Sequence, residues 1–195
     1  MSAIKLNSSG GGSITISPAS TASTLTLTAP ATTGTLLANG TALTLVSQTA
    51  SGTLVDFTGI PSWVKRITVN FAGVSTNGTS NLIIQIGDAG GLETTGYQGA
   101  VAAIVSSAAS GPTASSSNFL LGGASASNQV IGQIVIANNT GNLWVASGIL
   151  YFNNNQINQM ASAKTLSSTL DRLRITTVNG TDVFDEGTIN VMYEG

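Results

Sequence analysis

Apolar and polar residues alternate along much of this chain. At 13–17, Ile14 and Ile16 are separated by Thr15 and flanked by serines; at 23–28, Leu25 and Leu27 stand between threonines. A period of two puts one set of side chains on each face of an extended strand. Pro18 and Pro30 stop these segments. Shorter candidates follow at 35–37 and 42–46, divided by the turn pair Asn39-Gly40. Beyond residue 46 the segments lengthen. Leu54, Phe57, Ile60, Trp63 and Val64 lead into the alternating stretch 67–71. Further strands are predicted at 82–86, 97–106, 129–137, 143–152, 170–178 and 187–193, with loops at 75–80, 90–96 and 107–117. Residues 138–142 and Asn179-Gly180 read as turns. About eight strands with little helical period predict an all-β fold: a short-stranded arm, then an antiparallel β-sandwich of the jelly-roll kind.

The boundary is expected near residue 45. Residues 1–45 hold one charge, Lys5, and no aromatic residue. Burying Ile14, Ile16, Leu25 and Leu27 would give roughly 1.5–3 kcal/mol each. Ordering each residue costs on the order of 1–2 kcal/mol of backbone entropy. The arm, 1–45, is therefore expected to order only against copies of itself, the following domain or another protein. The domain, 46–195, is long enough for one sizeable core.

Composition narrows the function. The chain has no histidine and no cysteine, and 7% of its residues are charged, against roughly 25% in typical soluble domains. A net charge of −2 supplies no field to hold a polyanion, so nucleic acid is not an expected partner. No apolar run approaches the ~20 residues of a membrane helix, so no membrane insertion is expected. With 42% hydrophobic residues and a mean hydropathy of +0.30, the chain is not of disordered composition. The first residues lack an apolar h-region, so no secretory signal peptide is expected. The five N-x-S/T sequons then mark turn chemistry.

Catalytic chemistry has little to work with. Ser-His-Asp and Cys-His arrangements are excluded, as are thiolate metal sites. Lys5, Lys65 and Lys164 sit in no motif and are expected as solvated charges. The densest carboxylate cluster is Asp182, Asp185 and Glu186, before Gly187. It is the place to look for calcium ligands or a glycosidase pair, but it lacks the EF-hand spacing and reads as an exposed turn with Gly187 at positive φ. Gly87-Asp-Ala-Gly-Gly91 is a β-turn, with no helix pattern after it to bind phosphate. No cofactor is expected. Arg172 and Arg174 alternate with Leu173 and Ile175, which puts the aliphatics in the core and the arginines outside, solvated or paired with carboxylates of a neighbouring subunit. For glycan contact the candidates are Trp63, Tyr97, Trp144 and Tyr151 with the amide run Asn153, Asn154, Asn155 and Gln156. Core or subunit-interface packing is the favoured reading of the aromatics.

Taken together, the segments resemble known material. Gly-Gly-Gly-Ser-Ile-Thr-Ile-Ser-Pro and the threonine-leucine run after it (10–36) resemble the N-terminal arms of tailed-bacteriophage fibre and spike proteins. Ile-Pro-Ser-Trp-Val-Lys-Arg-Ile (60–67) and the ending from Leu170 to Glu194 look like the small β-sandwich of phage tail or virion proteins. The resemblance implies a non-enzymatic virion protein on the tail or capsid surface; release by lysis after synthesis in the host cytoplasm would reconcile the expected lack of a signal peptide with the hydroxyl-rich composition. The resemblance also implies a homotrimer held to other tail or capsid proteins through its arm. The expected role is a tail fibre or attachment subunit that contacts host-surface glycan; the alternatives are a capsid decoration or head-fibre protein and, further off, a polysaccharide-cleaving spike. With so few ion pairs available, subunit contacts are expected to respond little to salt.

Overall fold

The structure is a computed structural model that describes residues 4–7, 10, 13–16, 43–105, 108–123, 126 and 128–195. The chain divides into two compact units, Met1–Leu36 and Leu37–Gly195. In the first, β1 (Ile4–Asn7) pairs antiparallel with β2 (Ser13–Ile16), Ile4 opposite Ile16 and Asn7 opposite Ser13. A lone two-stranded hairpin is marginal in water. The strands expected at 23–28 and 35–37 and the turn Asn39-Gly40 lie outside the described residues.

The second unit holds β3 (Leu43–Thr49), β4 (Leu54–Thr58), β5 (Arg66–Thr76), β6 (Leu82–Asp88), β7 (Gly91–Leu92), β8 (Tyr97–Val105), β9 (Ala108–Ala109), β10 (Thr113–Ser115) and β11 (Phe119–Gly122). After these come β12 (Val130–Thr140), β13 (Leu143–Phe152), β14 (Gln156–Thr165), β15 (Leu170–Thr177) and β16 (Phe184–Glu194). A nine-stranded sheet runs β10-β8-β14-β13-β12-β5-β16-β3, with β9 on β8; a five-stranded sheet runs β11-β6-β15-β4, with β7 on β6. Every pairing among the described strands is antiparallel, and no described residue is helical.

Eight of these strands follow the jelly-roll order. The path β3-β16-β5-β12 lies in one sheet and β4-β15-β6-β11 in the other, and the chain crosses between sheets at nearly every step. Two insertions depart from that plan. One, between β6 and β11, adds β7 to β10; the other, between β12 and β15, adds the hairpin β13–β14. All of these except β7, which pairs with β6, extend the larger sheet past β12.

The two sheets enclose one apolar core. Ile67, Val69 and Phe71 of β5, Ile134 and Ile136 of β12, and Ile189 and Val191 of β16 are buried with Phe57, Ile84, Ile86, Leu173 and Ile175 of the smaller sheet. Full burial of such a side chain stabilises by roughly 1.5–3 kcal/mol. The expected orientation at β15 holds, with Leu173 and Ile175 inside. The arginines, however, find their carboxylates within the chain. Arg174 makes a bidentate pair with Asp56 (2.7 and 2.6 Å), and Arg172 pairs with Asp171.

The structure corrects four expectations. The boundary at residue 45 falls inside β3, whose whole length pairs with β16 as the edge of the larger sheet. The loop expected at 107–117 carries β9 and β10. The strands β14, β11 and β4 were not predicted; β14 is strand-poor in appearance because Asn158, Ser162 and Lys164 occupy its buried positions. Finally, Asp182 is no exposed turn residue. It is buried, and β16 already begins at Phe184, so Asp185 and Glu186 stand in a strand that bulges twice on either side of Glu186. Gly187 does adopt φ +90°, and a Cβ there would lie 2.4 Å from the Gly73 carbonyl oxygen.

Candidate functional site

The few ionisable groups hold loops together. Lys164, 5% exposed, points inward from β14, pairs with Glu93, donates to the Thr165 carbonyl (2.9 Å) and sits 5.6 Å from the centre of the Tyr97 ring. It is therefore not the solvated charge that was expected. Glu93 also accepts from the Ser167 amide (2.7 Å). Burial alone would raise its pKa, but the hydrogen bonds from Lys164 and Ser167 outweigh that and hold it below the usual value. Ser167 donates through Oγ to Asp88 (2.7 Å), whose carboxyl is lowered by that bond first and by the Gly90 amide second. Burial pushes the Tyr97 phenol above its ordinary value; its hydroxyl donates to the Glu93 carbonyl and accepts from the Ile86 amide. The group ties the β6–β7 turn to the segment joining β14 and β15.

Asp182, Asp185 and Glu186 do not converge. Asp182 accepts from Asn179 Nδ2 (2.6 Å) and the Ser80 amide (2.8 Å), and these bonds, against burial, lower its pKa. Asp185 accepts from Ser75 Oγ, and Glu186 from Gln129 Nε2. Each of the three carboxylates thus has its own hydrogen-bond partner. Among the described residues no cluster of three metal-ligating side chains occurs.

The glycan candidates separate into two groups. Tyr97 (2% exposed) and Trp144 (4%) are core residues, which removes them as surface platforms, and Trp63 packs partly buried against the core. Tyr97 meets Phe119 edge-on at 5.0 Å. Tyr151 and the amides stay at the surface, on one hairpin. Asn153–Asn155 form the turn between β13 and β14, with Asn155 at φ +62°. Asn153 fixes that turn to the start of β12, accepting from the Gln129 amide through Oδ1 (3.1 Å). From the turn a file of amides runs inward: Gln156 Nε2 donates to Asn158 Oδ1 (2.7 Å), and Asn158 Nδ2 donates to the Leu121 carbonyl (2.9 Å).

Gln156 and Asn158 line a cleft of about 260 Å³ with Asn81, Ser110, Thr113 and the backbone at Gly122 and Gly123. It opens where the inserted strands overhang β11. Among the described residues its walls are amides, hydroxyls, glycines and the side chains of Val101 and Ala103, with no ionisable group. Such a lining offers hydrogen-bond donors and acceptors to a neutral, hydroxyl-rich ligand. Sequence reasoning found Gln156 through the amide run but missed Asn81, Ser110, Thr113 and Asn158, which come from separate strands and loops.

The larger sheet also has an outer face, and register fixes its rows. Ile104, Ile157, Tyr151 and Ile131 lie side by side across β8, β14, β13 and β12; the next row places Gln159, Ile149, Gln133 and Asn70 together. Gln133 Nε2 donates to Asn70 Oδ1 (3.0 Å). Six of the twelve exposed large apolar side chains among the described residues stand on β8, β13 and β14. Toward the opposite end of the strands the face carries the pair Arg66–Glu194 (3.3 Å). No family model, no curated protein and no solved structure matches the chain.

Proposed function

We propose that the chain is a non-enzymatic virion structural protein: a tailed-phage tail-fibre or attachment subunit, homotrimeric, anchored to other virion proteins through its N-terminal arm and contacting host-surface glycan through its sandwich. The observation that carries the contact role is the uncharged cleft of amides and hydroxyls on the inserted strands. A neutral sugar exchanges water hydrogen bonds for those of Gln156, Asn81, Ser110 and Thr113 without a desolvated charge on either side. Retention on a glycan array tests it. Binding of the purified chain to neutral glycans that weakens at least tenfold in Gln156→Ala supports the reading. A chain that ignores every glycan and intact host cells but binds purified capsids belongs to the capsid-decoration alternative.

A further inference from the structure

We infer that the outer face of the larger sheet, centred on the inserted hairpin β13–β14, is the surface through which copies of this chain pack on one another. The inference deepens the homotrimer reading above and rests on it. Three observations support a second copy as the occupant.

The first is placement. The outer face exposes aliphatic side chains, half of the exposed set on the added strands: Ile149 is 60% exposed, Ile157 43% and Ile104 42%, with Ile131 (49%) on the adjoining β12 and Leu45 (64%) and Leu43 (61%) at the far edge on β3. Side chains on an outer sheet face are ordinarily polar. An exposed row of cross-strand isoleucines around Tyr151 is an apolar patch of the kind that marks protein contact.

The second is extent. Seven strands from β8 to β3 present outward side chains in four rows. With strands about 4.8 Å apart and rows about 6.8 Å apart, the face covers on the order of 600–900 Å². A stable interface takes about 800 Å² from each partner.

The third is charge. Within those rows, among the described residues, the ionised side chains are Arg66 and Glu194, and they pair with each other. A face of net charge zero can meet its own copy without like-charge repulsion, which an arbitrary acidic or basic partner would not require. On this assignment Tyr151 belongs to the subunit contact, and the cleft beyond Gln156 is left for glycan.

Light scattering of the whole chain and of single variants tests the inference. Ile149→Asp places a carboxylate at the centre of the contact and is expected to raise the dissociation constant roughly 100-fold or more, giving monomer at micromolar concentration. Gln159→Lys, at an already exposed position, is expected to act in the same direction with less risk to folding. Val178→Asp, 57% exposed on the turn after β15, is expected to leave assembly unchanged. An assembled wild type that both face variants leave assembled would overturn this assignment alone and keep the trimer. A wild type that is monomeric at about 100 μM overturns the trimer and this surface together.

Discussion

The jelly-roll strands and the inserted strands of the larger sheet distribute polarity differently. On β5, β12 and β16 the inner face is aliphatic, with Ile67, Val69, Ile134, Ile136 and Val191 wholly buried. Their outer face carries amides such as Asn70, Gln133 and Asn190, with Ile131 exposed at the end of β12. On β14 and β8 the inner positions include Asn158, Ser162, Lys164 and Gly99, while Ile157 and Ile104 point outward. The first region is stabilised by burial of its own side chains. The second places an amide-lined cleft and the buried Lys164 on its inner face and exposes isoleucines outside. The contrast teaches that the inserted strands carry polar groups where the jelly-roll strands carry core.

Matched substitutions sharpen that contrast. Ile84→Ala, within the jelly-roll core, is expected to cost about 2–5 kcal/mol. Ile149→Ala, the same truncation on the outer face, is expected to fall within about 0.5 kcal/mol in the dissociated chain. Denaturant midpoints at low protein concentration compare them, and equal losses would erase the distinction between the regions. Gly99→Val comes next. A Cβ at Gly99 would lie 2.3 Å from Ser162 Cβ, so β8 must move off β14. The expected loss is about 1–3 kcal/mol, with the cleft distorted and glycan retention reduced.

Glu93→Gln leaves Lys164 buried without its counter-ion. The expected cost is about 1–3 kcal/mol, below that of a fully dry pair because Glu93 is one-fifth exposed. The same group sets a pH dependence. Glu93, Asp88 and Asp182 are held below their ordinary values in the folded chain. Their contribution is therefore fully present above the usual carboxylate range, about pH 4, and is lost as the pH falls through the depressed values. Denaturant midpoints should be flat from pH 7 to 5 and fall below 4, and Glu93→Gln should flatten that fall. Asp56→Asn has a smaller effect than Glu93→Gln: it breaks the partly exposed pair with Arg174 and is expected to cost at most about 1 kcal/mol.

The all-β class and most jelly-roll strands were legible because their buried positions are Ile, Val, Leu and Phe at a period of two. The turns at Gly141-Asn142 and Asn179-Gly180 were legible from backbone chemistry alone, as was the positive φ of Gly187, which lies in the bulged strand β16. The inserted region was harder. Its strand β14 carries Asn, Ser and Lys inward, so periodicity in hydrophobicity does not reveal it. Three-dimensional register then assembles the cleft from residues as far apart as Asn81 and Asn158, and the exposed isoleucine row from four strands, neither of which local spacing encodes. Tyr97 and Trp144 illustrate the reverse, since an aromatic side chain reads the same in sequence whether it stacks on a sugar or fills a core.

The central claim is that copies of this chain associate through a sheet face of net charge zero. Sedimentation velocity of the wild type in low and high salt, from about 50 to 500 mM, where the Debye length falls from about 14 to 4 Å, tests it most directly. The account predicts a species of three times the 19.6 kDa chain mass, with the same sedimentation at both ends of the range. A monomer throughout, or a trimer that salt alone dissociates, would contradict it.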